Sequence, residues 1–319
     1  MLLDETPIKD KNGIFFYTYG YQNFKDSIYV LPYYFPKKLL KRVEFPSNNL
    51  YKKIEKRRLL KRRYIRVHNV LEGLKIAKSL NYDIVVDPRY GIPMVRISRK
   101  DVIKIFNPYI RGKKFKRIIK MVSKFFDIPA QNIGISRSYL IDMYTDYSNV
   151  DICIEGEENS FKVIGRFKEF LDNYRLDITK KDRIKRHVNM LPKRLALAKS
   201  SIENKDWFSF YYKGKKIDFH FIKTAREADV PLIIKKIGPK EVRGKIVDNA
   251  ESFFAPSVYV VEILSPRDYI HKRLRLITYS RFFAGAFKKD DTIKFRGTFR
   301  ISQRKNSKEI EASLEEIIA

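Results

Sequence analysis

Residues 133–156 read IGISRSYLIDMYTDYSNVDICIEG. An apolar approach gives way to small polar residues, which predicts a turn over Gly134 to Ser138. An alternating pattern then follows, in which Asn149 and Asp151 flank Val150. Residues two apart on a strand point to the same face. Asn149 and Asp151 therefore stand side by side, and neighbouring oxygen donors are what a magnesium ion bridging phosphates requires. Lys216-Ile217-Asp218-Phe219-His220-Phe221 alternates in the same way after Lys213-Gly214-Lys215, the expected tip of a hairpin. Either segment alone reads as an ordinary edge strand. The two together place a second carboxylate, Asp218, where it can join the first.

These residues resemble the core motif of the nucleotidyltransferase superfamily that includes polymerase beta, in which an apolar residue, Gly and Ser precede a strand reading Asp, apolar, Asp. Arg137-Ser138 aligns with the Gly-Ser, and Asn149-Val150-Asp151 with the strand. The resemblance implies that Gly134, Ser136, Arg137 and Ser138 contact a nucleoside triphosphate substrate. It implies that Asp151, Asn149 and Asp218 hold Mg2+ or Mn2+. Asp151 and Asp218 would be catalytic, Asp218 promoting attack on the α-phosphate by a nucleic-acid end.

Two positions depart from the motif. Arg137 stands where a Gly lets backbone approach phosphate, and Asn149 supplies a neutral carbonyl oxygen in place of a carboxylate. Losing one of three negative charges weakens metal binding and transfer, whereas an arginine still grips a phosphate through two parallel hydrogen bonds. Two functions follow from these residues: Mg-dependent nucleotidyl transfer to a nucleic-acid end, or a catalytically weak or inactive relative that binds RNA or DNA. A basic ribosomal or chromatin component with no transferase ancestry is the third.

The chain is also similar to a group of archaeal predicted nucleotidyltransferases with extra domains on both sides of the core. Gly13 to Gly20 and Ile28 to Pro36 resemble that group's opening strands, and Phe254 to Tyr259 and Asp291 to Gly297 its C-terminal segment.

Composition sets the wider frame. With 319 residues the chain exceeds one ordinary core, and 44% apolar residues make it globular. Sixty-seven Lys plus Arg against 37 Asp plus Glu leave a formal charge of +30, a strong positive field whose natural partner is a polyanion. The expected partner is nucleic acid, RNA ahead of DNA. No apolar run approaches the roughly 20 residues of a membrane span, and the acidic start Met1-Leu-Leu-Asp-Glu is unlike a secretory signal, so a cytoplasmic protein is expected. Cys153, the single cysteine, reads as a small buried apolar residue, and four scattered histidines build no zinc cluster with it. Oligomeric state stays open.

The expected fold class is α+β: a nucleotidyltransferase-like mixed-sheet core at 107–228, flanked by a small basic N-terminal α/β domain at 1–106 and a C-terminal β-rich domain at 229–319. Two basic stretches are candidates for phosphate-backbone contact. The first contains Lys56, Arg57, Arg58, Lys61, Arg62 and Arg63, interleaved with apolar residues; the second, read as a helix over 180–201, contains Lys185, Arg186 and Arg194. Toward the C-terminus the pattern predicts short strands, possible closure into a barrel, a basic helical piece over Asp268 to Phe283, and an acidic helix or tail over Ser307 to Ile318. Lys294, Arg296 and Arg300 on the strand 292–301, with Arg304 and Lys305 beyond it, are expected to present cations to nucleic acid.

Overall fold

The computed structural model describes residues 2–22, 26–41, 64–67, 70–109, 115–146, 148–177, 199–205, 208–269, 272–305 and 307–318. The fold is α+β and rich in strand. The chain separates into two compact units. One comprises Met1–Asp87, Gly91–Arg166 and Tyr212–Ala228; the other comprises Pro88–Tyr90, Phe167–Tyr211 and Asp229–Ala319.

In the first unit, β1 (Pro7–Asp10), β2 (Phe15–Thr18), β3 (Ser27–Pro36), β4 (Tyr64–Arg66), β5 (Asp83–Val86), β6 (Pro93–Ser98) and β7 (Val102–Ile105) build an antiparallel sheet. Its order is β5-β6-β3-β2-β1-β7, with β4 paired to β3. Strand β2 shows why both faces are covered. Phe16 joins Ile8, Val30 and Val95 against Leu74, Ile76 and Ala77 of the helix Val70–Ser79, while Phe15 and Tyr17 pack on the other side with Tyr34, Ile141 and Met143.

The second sheet of this unit is centred on β9 (Val150–Glu155), with β8 (Ile133–Ser136) antiparallel to it on one side and β11 (Lys215–Ile222) parallel on the other. The strand β10 (Ser209–Tyr212) leads into β11 through the turn at Lys213 and Gly214. Both turn residues adopt positive φ. Register decides what each face carries. Ile135, Ile152 and Phe219 lie in one row, with Ile133, Ile154 and Phe221 in the next, all buried. The intervening rows, Ser136–Asp151–Asp218 and Gly134–Cys153–His220, occupy the opposite face.

The turn expected over Gly134 to Ser138 is largely strand, since β8 runs through Ser136. Gly134 sits in mid-strand, where an added Cβ would lie 2.7 Å from the Pro108 carbonyl oxygen and 2.8 Å from Tyr109. The missing side chain lets Pro108 approach closely enough to accept a 2.9 Å hydrogen bond from the Ile135 N–H.

In the second unit, β12 (Leu232–Asp248), β13 (Ser257–Ser265), β14 (Arg273–Thr278), β15 (Thr292–Gln303) and β16 (Lys308–Ile318) close into a five-stranded barrel, in the order β12-β13-β14-β16-β15. Val242, Tyr259, Val261, Leu276, Phe295 and Phe299 are among its buried filling. Three expectations are corrected here. The strand pieces expected at 235–237 and 244–248 are one 17-residue strand. The basic helical piece is β14 between short 3-10 turns at Arg267–Tyr269 and Arg281–Phe283, because Leu274 and Leu276 alternate with Arg273 and Arg275 and fill an inward row. The acidic tail is β16, in which Glu309 accepts from Arg275, Glu311 from Arg300 and Arg304, and Glu315 from Thr298.

Glu311 is the centre of that correction. Fully buried, it accepts from Arg300 Nε at 3.0 Å and from the Ser302 hydroxyl at 2.7 Å on one oxygen. Its other oxygen accepts from Arg304 Nε at 2.9 Å and Nη2 at 2.6 Å. Arg300 also donates to the Tyr90 carbonyl at 2.9 Å, and Arg304 to the Asp229 carbonyl at 3.0 Å. Arg300 and Arg304 are therefore buried and are not available to a polyanion; Lys294 and Arg296 remain at or near the surface.

Removing one partner of a buried ion pair strands the other charge, at a cost of about 3–5 kcal/mol. Glu311→Ala is expected to lose that order of stability in urea unfolding. Glu311→Gln keeps the shape and an acceptor but strands the same two arginines, so it should lose nearly as much; a clearly smaller loss would mean that shape and hydrogen bonding rather than charge matter at this position.

A candidate site on the central strands

The direct pairing of Asp151 with Asp218 across parallel strands sets two carboxylates side by side, and Ser136 stands opposite Asp151 on the other edge. Like charges placed directly opposite repel, so cations must be close. Arg137, the residue after β8, places Nε 3.9 Å from Asp151 Oδ1. The His220 ring nitrogen Nε2 is 2.8 Å from the same oxygen. Lys216 lies 3.5 Å from Asp218 Oδ1, and the Asn149 amide donates to Asp218 Oδ2 at 2.9 Å.

A residue without an obvious sequence signal completes the cluster. Glu5 receives both hydrogen bonds of the Arg137 fork, Nε to Oε2 at 3.0 Å and Nη2 to Oε1 at 2.6 Å, and its Oε2 lies 3.7 Å from His220 Nδ1. Glu5 and Arg137 are both held at positive φ, +60° and +54°. Each such residue costs about 1 kcal/mol or more relative to glycine. Arg137 thus keeps the left-handed turn that a glycine would make without strain, and its side chain is fixed by the bidentate contact.

Burial by itself would raise the Asp151 carboxyl, but the Arg137 charge and the His220 hydrogen bond outweigh it and hold the group below its ordinary 3.8. Burial works against the Arg137 guanidinium too, and Asp151, with Tyr33, Tyr17 and Asp218, more than compensates. Tyr17 is pushed well above the ordinary phenol value, chiefly by burial, so its hydroxyl stays protonated. Burial raises the Cys153 thiol to about 12, which leaves it a small buried residue, as its sequence context suggests, and not a nucleophile.

Comparison with protein-family models, with curated proteins and with solved structures returns no match. Residues and geometry therefore carry the functional argument.

The structure brings Ser136, Arg137, Asn149, Asp151 and Asp218 together and adds Glu5, Lys216 and His220. Ser138 is buried at the start of the next turn, its carbonyl accepting from the Met143 N–H at 2.7 Å. Gly134 lies one row away, beneath Pro108 and Tyr109. Lys56, Arg57, Arg58, Lys61, Arg62, Arg63, Lys185, Arg186 and Arg194 lie outside the described residues.

As arranged, the carboxylates do not suit a magnesium ion. Each already has cationic or amide partners, and a divalent ion would have to displace Arg137, His220 or Lys216. Among the described residues no group of three or more His, Cys, Asp and Glu side chains is gathered to hold a metal.

The depressed Asp151 carboxyl contributes stability that is fully present above the unfolded pKa near 3.8 and is lost as pH falls through its lower folded value. The urea midpoint of the wild type should therefore drop more steeply below about pH 4 than that of Asp151→Asn. Parallel acid limbs would show that the ion pairs around Asp151 do not contribute.

Proposed function

We propose that this chain is a nucleotidyltransferase-superfamily protein whose central site serves nucleic-acid binding, with transfer weak or lost. Support for the ancestry is the strand arrangement: a carboxylate on the central strand directly paired with a second on a parallel neighbour, preceded by a left-handed residue at Arg137. Support for binding over transfer is one observation. The Arg137 guanidinium sits 3.9 Å from Asp151 and Asn149 is spent on Asp218, so the space that transfer would give to metal is held by protein cations and an amide.

The net charge of +30 gives the partner its class. A polyanion meets counterion-release gains at such a surface, and exposed Lys235, Lys236 and Arg243 of β12 add to it among the described residues. RNA is proposed ahead of DNA. No helix among the described residues is long and apolar enough to cross a membrane.

The active-transferase alternative keeps one observation in its favour, the Asp151–Asp218 pairing itself. In that version Mg2+ or Mn2+ and a nucleoside triphosphate enter only after Arg137 and Lys216 turn aside.

Binding to a single-stranded RNA oligonucleotide, followed by anisotropy, should weaken by about tenfold or more between 50 and 200 mM salt if several phosphates are contacted. With Mg2+ or Mn2+ and each nucleoside triphosphate, the wild type should extend no oligonucleotide. Extension that disappears in Asp151→Ala or Asp218→Ala would install the transferase in its place, and extension only in Asn149→Asp would identify the missing carboxylate as the reason for silence.

A further inference from the structure

We infer that Glu5 is a built-in occupant of an anion seat formed by Arg137 and Tyr17, and that the seat takes the terminal phosphate of a nucleotide or of a nucleic-acid 5′ end once Glu5 withdraws. The inference rests on the nucleic-acid reading of the same site and adds its gate and its ligand group.

Three observations converge. First, a guanidinium fork presents two parallel N–H donors that fit a carboxylate and a phosphate alike. In this structure the fork is fully engaged by Glu5 Oε1 and Oε2. Second, both ends of the contact are held in left-handed backbone, Glu5 at φ +60° and Arg137 at φ +54°. Besides the fork, Glu5 has His220 Nδ1 3.7 Å from its Oε2 and its N–H donates to the Thr18 carbonyl at 3.2 Å, so the anion that replaces it has to win the Arg137 fork from a strained but anchored residue. Third, the Tyr17 hydroxyl is buried, stays protonated, and has no hydrogen-bond partner among the described residues. It packs with Ile141 and Met143, which follow the Arg137 turn, and pairs with Pro7, two residues beyond Glu5. Orphaned buried hydroxyls are uncommon and call for an explanation.

A phosphate accounts for all three. Two of its oxygens replace those of Glu5 on the fork, and a third accepts from Tyr17, which a carboxylate bound to the same fork leaves unused. A singly charged phosphate group replaces Glu5 charge for charge beside Arg137 and Lys216, which also face Asp151 and Asp218. Glu5 acts within the chain as a competitor at a high but finite effective concentration, so the seat stays closed against weak anions and opens to a polyphosphate.

Isothermal titration with sodium tripolyphosphate tests the gate directly. Glu5→Gln is expected to bind at least about tenfold tighter than wild type, because a charged competitor has been removed. Arg137→Gln added to Glu5→Gln should lose that gain. Equal affinity of wild type and Glu5→Gln, or a gain that survives loss of Arg137, overturns the inference. If Glu5→Gln fails to fold by circular dichroism, Tyr17→Phe decides instead: tripolyphosphate binding weakened about fivefold relative to wild type supports the seat, and unchanged binding removes it.

Anisotropy with RNA bearing a 5′-hydroxyl or a 5′-triphosphate, beside titration with free nucleoside triphosphate, separates the sources of the phosphate. The ligand that gains most from Glu5→Gln is the one the seat serves. RNA binding that is indifferent both to the 5′ group and to Glu5→Gln sinks the gate and leaves nucleic-acid binding standing. Absence of RNA binding, with the tripolyphosphate gain intact, sinks the nucleic-acid reading and leaves the gate.

Discussion

Two carboxylates facing each other from adjacent parallel strands are an electrostatic problem that the rest of the first unit is organised to solve. At strand spacing, Asp151 and Asp218 cannot both remain ionised and buried without close cations. Lys216 answers from the strand of Asp218 itself and Arg137 from the turn that leaves β8, while the His220 ring pairs with Asp151 from the next residue on the same face. Arg137 reaches Asp151 only from a left-handed backbone, and its own charge is in turn covered by Glu5 from the opposite end of the sequence. The N-terminal segment is thereby tied to the central sheet by charge as well as by the aromatic packing of Phe15, Tyr17 and Tyr34.

What the sequence made legible follows from how far its signals reach. A period of two is a local signal, and it placed Asp151 and Asp218 on the polar faces of their strands, with Val150, Ile152, Ile217 and Phe219 opposite. The parallel pairing that makes them neighbours needed only the matching of two such strands. Glu5 was not legible, because its partner is 132 residues away and nothing in Asp4-Glu5-Thr6-Pro7 distinguishes a buried carboxylate from a solvated one. Gly134 was read as part of a turn for a related reason: a glycine serving close approach and a glycine serving a turn look identical until Pro108 is seen above it.

The C-terminal strands carry the same lesson in reverse. Glu309, Glu311, Glu315 and Glu316 look like a solvated acidic tail when counted by charge, yet Ile310, Ala312, Leu314 and Ile317 among them carry enough apolar surface for a barrel strand. Whether a glutamate in such a run is outside or inside depends on what lies across the sheet. Arg300 pairs in register with Glu311 on the neighbouring strand, and Arg304 reaches the same carboxylate, so the apparent excess of cations on β15 and the apparent excess of acids on β16 largely cancel inside the protein.

That cancellation bears on how the net charge should be weighed. Arg137, Arg300 and Arg304 are buried or part-buried and matched to carboxylates, so they add little to the outer field, and the acids they consume are withdrawn from the surface together with them. Arg137 is matched by Glu5, and Arg300 and Arg304 share Glu311 with Asp229 3.5 Å from Arg304, so most of the +30 is carried by the residues that remain. A positive field of that size favours polyanions without regard to sequence, whereas the proposed gate would limit the central cluster to anions that outcompete Glu5. On that proposal the surface supplies affinity without selectivity, and selectivity rests on the Arg137 fork that already holds Glu5.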